Sequence, residues 1–154
     1  MPKQSPVPDK LSKPFWDACN EGKLVMLTCT ACNLMQYPPE ATCRKCNSAE
    51  KLVWKEVSGW GKIHGYCTMY DCRIRLLQAE QPFNLASIAL EEDPGVLMYA
   101  NLPGTPVDEV PVGATVKVEF VTTPGNGQKV PEWRVTEPRW KAAKKAARPA
   151  ARKR

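Results

Sequence analysis

The stretch Cys29–Cys46, CTACNLMQYPPEATCRKC, decides how the rest of the chain is read. It holds two Cys-x-x-Cys pairs, Cys29/Cys32 and Cys43/Cys46, with ten residues between them. Each pair can form a tight knuckle whose two sulfurs aim at one centre. Two facing knuckles supply four thiolates at tetrahedral positions, the arrangement Zn²⁺ favours in closed structural sites. Spacing and context favour zinc over iron. Two disulfides or four buried thiols are the alternatives, and both are unusual for so regular a double knuckle. Four sulfurs leave no open position for water, so the metal is expected to brace the chain and to do no chemistry. It replaces a hydrophobic core that so short a segment cannot build. Its binding, of order ~10–16 kcal/mol at such sites, is then folding energy.

Upstream of the knuckles, PFWDACNEG predicts a short amphipathic helix. Ser12 is its expected N-cap, Pro14 sits near the first helical position, and Gly22 is placed to end it. Phe15, Trp16 and Cys19 share one face, which docks either on this chain or on a partner. Residues 1–11, rich in Pro and Lys, read as a loose arm. Leu24–Thr28 leads into the first knuckle as a strand, Tyr37-Pro38-Pro39 is expected to cross extended, and Leu52–Val57 leaves as another strand.

From Ser58 the pattern changes to strands and turns. Gly59 and Gly61 mark a bend. Lys62–Tyr70 alternates, with Ile63, Gly65, Cys67 and Met69 expected inward. Phe83–Leu90, Val96–Leu102 and Ala114–Thr122 follow, bounded by Pro and Gly turns. Val130–Thr136 is the fifth strand, with Trp133 and Val135 inward and Glu132 and Arg134 outward. Five strands in about 80 residues suit a small closed barrel of the oligonucleotide/oligosaccharide-binding (OB) type, with an open sandwich a poorer fit. The fold class is therefore mainly β: a short N-terminal helix, a rubredoxin-like zinc ribbon, and a five-stranded OB-type barrel. The expected division is an arm and docking helix over 1–23, a ribbon over 24–57, a barrel over 58–138 and a flexible basic tail over 139–154.

The net charge of +6 comes from that tail. Residues 141–154 carry seven Lys or Arg and no acid; without them 15 basic residues face 16 acidic ones, a body of net charge −1. A near-neutral body argues against nucleic-acid binding, which stays the rival reading because ribbons and OB folds both serve it. The tail reads as a solvated segment first, and next as a strip for an acidic partner groove. The N-terminus lacks the apolar core of a signal peptide, and no apolar run approaches a membrane span. Seven cysteines, four in knuckles, then suggest a reducing cytoplasm.

The order PFWDACNEGKL, CTAC, YPPEATCRKC, VSGWGKIHGYCTMY, PFNLASIALEEDPGVLMYANL, PVGATVKVEF resembles the family of small zinc-ribbon plus OB-fold proteins that accompany acyl-CoA enzymes. The likeness covers about residues 12–137. Members of that family are companion subunits of thiolases, of archaeal hydroxymethylglutaryl-CoA synthase, and of steroid side-chain hydratases and aldolases. The likeness runs furthest toward the small zinc subunits of benzoylsuccinyl-CoA thiolase in anaerobic toluene breakdown. The resemblance assigns the metal to Cys29, Cys32, Cys43 and Cys46 and implies a thiolase-fold catalytic partner in a hetero-oligomer. CoA or acyl-CoA would be met only through that complex. It assigns no catalytic residue.

The residues agree with that. Thiolytic chemistry needs an activated cysteine, a base and an oxyanion hole. Of the spare cysteines, Cys19 and Cys67 read as core, and Cys72 as exposed but not activated. The sole histidine, His64, sits on the polar face of a strand. No nucleophile elbow or phosphate loop appears. Trp60, Tyr66, Tyr70, Arg73 and Arg75, aromatic and basic, are expected around one loop region. With Phe15 and Trp16 they are the candidate contacts for a partner or for CoA. An ordinary barrel surface is the plainer reading of the same residues.

Overall fold

The computed structural model describes residues 5–136, so the basic tail lies outside the described residues. Helix α1 (Lys13–Asn20) leads into strands β1 (Leu24–Cys29), β2 (Met35–Gln36) and β3 (Leu52–Val57), which pair antiparallel in the order β2-β1-β3. The rest is a five-stranded antiparallel sheet, order β6-β5-β4-β7-β8. Its strands are β4 (Trp60–Met69), β5 (Phe83–Leu90), β6 (Leu97–Ala100), β7 (Thr115–Thr122) and β8 (Lys129–Val135); a one-turn helix α2 (Arg75–Gln78) sits between β4 and β5.

Ser12 is the N-cap residue of α1, as expected, but its side chain caps no helix amide; it closes a turn with Asp9 instead. The Ser12 N–H donates to Asp9 Oδ1 at 2.6 Å, and the Asp9 N–H donates to Ser12 Oγ at 3.2 Å, a reciprocal pair. With Ser12 as cap, one of the two amides it could have served belongs to Pro14, which has no N–H. Gly22, at φ 78°, ends the helix as its left-handed preference predicts. Lys23 N–H reaches Ala18 O at 2.9 Å and Gly22 N–H reaches Cys19 O at 3.0 Å, a Schellman pair. From Ser5 onward the N-terminal arm is fastened, not loose. Ser5 Oγ accepts from the Gly125 and Asn126 amides and donates to Thr123 Oγ1 at 2.8 Å.

Strand β4 belongs to both halves of the curled sheet. Trp60–Lys62 pairs with β7, and most of the strand pairs with β5, with a bulge between Ile63 and Gly65. The extra residue reverses the alternation. Gly61 and Ile63 are buried before it, whereas Tyr66 and Thr68 oppose the buried Ala86 and Asn84 after it. Cys67, expected in the core, is therefore exposed. Gly59 and Gly61 make the entry to this strand. Gly59 has φ 69°, and a Cβ there would lie 2.3 Å from Val118 Cγ1.

Among the described residues the ladder does not close between β6 and β8, so the sheet is a half-barrel and not the closed barrel expected. Strand β6 has four residues, and Pro131 in β8 offers no N–H to a neighbour. Arg134 spans the seam instead, its Nη1 donating to Pro103 O at 3.3 Å. Glu132, expected outward, is 3% exposed and lines the cavity of about 360 Å³ at this seam.

One apolar core runs through both sheets. Phe15, Cys19, Leu24, Met26 and Val57 join Ile63, Ile88, Leu90, Met98, Val116 and Trp133. The Phe15 ring lies 4.9 Å from Trp16, 6.3 Å from Tyr37 and 6.5 Å from Trp54, so the helix face docks on its own chain. Gln128 locks the helix to the half-barrel: its Nε2 donates to Trp16 O and to Asn20 Oδ1, each at 2.9 Å.

Candidate metal centre and contact surfaces

Strand β1 ends on Cys29, which places the first knuckle at the tip of the small sheet, and the loop after β2 returns the second knuckle to face it. The four Sγ atoms all lie within 4.8 Å of one another, with Cys29–Cys46 at 3.6 Å and Cys32–Cys43 at 3.5 Å. A disulfide needs about 2.05 Å. Four sulfurs at ~2.3 Å from one Zn²⁺ sit ~3.8 Å apart, so the set fits a tetrahedral metal and not disulfides. Cys29, Cys32, Cys43 and Cys46 would hold zinc and leave it no further ligand position.

The two knuckles are copies of one turn. Cys29 N–H donates to Leu34 O at 2.9 Å and Cys43 N–H to Ser48 O at 3.0 Å, five residues on in each case. The residue after each second cysteine is left-handed: Asn33 at φ 55° and Asn47 at φ 56°. Asn tolerates that region better than any residue except Gly. Backbone N–H groups turn inward onto the sulfurs. The Cys46 amide is the main cause that lowers the Cys43 thiol to about 6. Burial pushes Cys29 up, but the Cys32 and Ala31 amides outweigh it, and its pKa falls below the ordinary thiol range. At Cys32 the Leu34 amide favours the thiolate, yet burial and the neighbouring sulfurs prevail and push it up to about 11. Four thiols this close cannot all ionise unaided, and a divalent cation relieves that conflict.

Gln36 fixes the second knuckle. It is 2% exposed; its Nε2 donates to Thr42 O at 3.1 Å, and its Oε1 accepts from the Arg44 amide at 3.3 Å. The Arg44 guanidinium binds Glu40 Oε1 and Pro38 O, at 2.8 and 2.9 Å. The crossing bends at a cis Tyr37–Pro38 bond and does not run extended as expected. Gln36, Asn33 and Asn47 are the residues that reading by ligand spacing misses. The signal for the asparagines is the repeat Cys-x-x-Cys-Asn at 29–33 and 43–47.

The candidate contact residues do not gather around one loop. Trp60 opens β4, with Lys117 Nζ 4.7 Å above its ring. Tyr66 lies six residues further along the strand, a rise of about 20 Å. The Tyr66 hydroxyl donates to Asp108 O at 3.3 Å and the Tyr70 hydroxyl to Asp108 Oδ1, so both tie down one loop. Arg73 and Arg75 are exposed beyond them; Trp16 is half-buried and Phe15 is buried. Cys19 is fully buried, and burial pushes its thiol up to about 12, which keeps it protonated. Cys72, expected exposed, is buried at 5%. His64 is exposed at the bulge.

A helix-led ribbon with a closed four-cysteine centre, continued into an OB-type half-barrel, defines the class: zinc-ribbon plus OB-fold proteins. The chain belongs, within that class, to the ChsH2 family: residues 16–53 match its rubredoxin-like zinc ribbon domain and 54–121 its C-terminal OB-fold domain. A curated relative, the probable enoyl-CoA hydratase alpha subunit of Thermomonospora curvata, is 27% identical over 110 residues. That match covers 70% of this chain and 32% of the relative, so the chain spans about a third of the relative's length. The solved Ltp2-ChsH2(DUF35) aldolase includes a chain with TM-score 0.73 and 22% identity, over 85% of this chain and 98% of that one. A DUF35-family protein of unknown function from Sulfolobus solfataricus has TM-score 0.56 and 17% identity, over 82% and 86%. At these identities the two structures show a shared fold. No helix among the described residues is long and apolar enough to cross a membrane.

Proposed function

We propose that this chain is a zinc-braced, non-catalytic subunit of an acyl-CoA enzyme complex, and that its catalytic partner has the thiolase fold. The observation that carries the reading is the closed centre. Four sulfurs within 4.8 Å of one another saturate a tetrahedral ion, so substrate has no place at the metal. Outside the metal centre the thiols of Cys19 and Cys72 are buried and inaccessible, and Cys67 alone of the three is exposed. Two relatives carry names from acyl-CoA or aldolase chemistry, the probable enoyl-CoA hydratase alpha subunit and the Ltp2-ChsH2 aldolase. That supports a hetero-oligomeric assignment of the same general kind.

The finer reading is a thiolase that cleaves benzoylsuccinyl-CoA, with CoA bound by the complex and not by this chain alone, in the cytoplasm. Arg73 and Arg75, with Trp16, Trp60, Tyr66 and Tyr70, are its contact candidates. Co-expression with a thiolase-fold candidate partner, followed by size exclusion and a thiolysis assay, tests this. The expected result is a stable heteromer whose thiolysis collapses when this chain is omitted. Full activity from the large chain alone would refute it.

A further inference from the structure

Residues 137–154 lie outside the described residues, and the described chain stops at the edge of a groove. This groove, of about 330 Å³, runs across the outer faces of β5, β4 and β7. Two cross-strand rows frame it. In one, Ala89 pairs with Lys62 and Lys62 with Thr115. In the other, the Glu91 N–H donates to Trp60 O at 3.0 Å, and Trp60 pairs with Lys117. Gly61 and Ala89 keep the floor low, while Trp60, 36% exposed, and the exposed Pro94 supply apolar surface. The two charges of the lining, Lys62 and Glu91, cancel. Lys117, the next cation, is engaged: its Nζ donates to Ser58 O and lies 4.7 Å above the Trp60 ring. Such a lining suits a flat, uncharged group that can lie against an aromatic ring and the alkyl stem of a lysine.

The chain itself carries that group to the groove. Strand β8 leads into Thr136, whose N–H and Oγ1 both donate to Thr115 O at 3.1 Å. Thr136 therefore extends the row of Thr115, Lys62 and Ala89. The ladder stops there: Ala114 is turned away, its carbonyl accepting from the Ile63 amide, and Pro138 has no N–H with which to continue pairing. The opposite face of the sheet is filled by Val116 and Trp133. From Thr136 across to β4 is two strand spacings, ~9.6 Å. Four residues reach up to ~13 Å, and the fourth is Trp140. It is the one large apolar side chain in 137–154, whose other residues are Glu, Pro, Ala, Lys and Arg. A tether this short keeps the indole at an effective concentration of about millimolar, ahead of any free ligand that is scarcer.

We infer that the Trp140 indole seats in the groove between Trp60 and Ala89. The seven Lys and Arg residues of 141–154 then leave from the outer face of β4 and β5, and not from the end of β8. The test uses the full, zinc-loaded chain labelled with fluorotryptophan. Its five tryptophans give five fluorine signals, and Trp140→Phe assigns one of them. A soluble gadolinium chelate should broaden the Trp140 signal at least ~5-fold less than it broadens that of the peptide 137–154. Ala89→Gln, which fills the floor from an outward-facing position, should bring the signal to the peptide value with circular dichroism unchanged. Trp140→Ala should shift the Trp60 signal, and it keeps the test alive if Ala89→Gln misfolds. A Trp140 signal as accessible as the peptide's overturns the inference. So does a shielded signal that folded Ala89→Gln fails to release, or a Trp60 signal that Trp140→Ala leaves unmoved, since the indole then lies elsewhere. Shielding that is lost on dilution overturns it in favour of the tail of a second copy.

Discussion

Removing the metal should melt residues 30–51 and leave the half-barrel standing. Across that segment only Gln36 and Cys43 are buried. Ordering about 22 residues costs ~1–2 kcal/mol each in backbone entropy alone. Against that stand hydrogen bonds such as those of Gln36 and Arg44, worth ~0.5–1.5 kcal/mol apiece. The metal, whose binding at such sites is worth ~10–16 kcal/mol, is the largest single contribution holding the segment. Strands β1 and β3 are differently placed: Leu24, Met26 and Val57 sit in the common core and need no zinc. Hydrogen exchange read by mass spectrometry, before and after chelation, separates the two regions. The Cys29 and Cys43 amides, bonded to Leu34 O and Ser48 O, should lose protection at least ~10³-fold. That is a lower bound, since ~10 kcal/mol corresponds to about 10⁷ in an opening constant. Amides of β5 and β7 should change less than ~10-fold. A metal-free chain that keeps 30–51 protected, or that unfolds as one unit, would refute the reasoning.

Asn47→Ala should weaken zinc binding about tenfold, from ~1–2 kcal/mol of left-handed strain, and Asn47→Gly should not; a chelator competition reads both. Gln128→Ala removes the bonds to Trp16 O and Asn20 Oδ1 and should cost ~2 kcal/mol in urea denaturation of the zinc-loaded protein. Gly59→Ala puts a Cβ against Val118 at a left-handed position and should cost ~3 kcal/mol or more, read as a lower melting temperature. Zinc affinity should fall with acid. The Cys43 thiol sits at about 6 in the fold, below its ordinary value. Its thiolate contribution is therefore complete above the ordinary thiol range and is lost as pH falls through about 6. A chromophoric chelator should extract zinc increasingly between pH 7 and 5, and a flat profile would contradict this.

The metal centre was legible because ligand spacing is local: two Cys-x-x-Cys pairs determine their own turns wherever the chain goes next. The strands were legible for a similar reason, since Pro82 and the turn Asp93-Pro94-Gly95 bound Phe83–Leu90 and its observed bounds match. What escaped was non-local. Periodicity assumes an unbroken ladder, and one inserted residue at His64 inverted the faces of Cys67 and Tyr66. Whether a curled sheet closes depends on its two edge strands, and β6 is too short to show that in its sequence. The arm was misjudged on composition, because its anchor, Ser5 on the 123–126 loop, lies more than a hundred residues away. Ser12 was legible as the cap position, but its side chain makes no capping bond, and Pro14 two places on removes one of the amides it could have held.

The apolar cluster shared by α1, β1, β3 and the half-barrel bears on how this architecture can be cut. The boundary between the two family domains, at 53/54, falls inside β3 (Leu52–Val57), one of whose residues, Val57, belongs to that cluster. A ribbon excised there would carry Phe15, Leu24 and Met26 bare to water, and the remaining half-barrel would open where they had been. The two halves can be inherited or fused only as a single cassette, so a longer chain that contains them must attach its extra parts at the ends and not at the join.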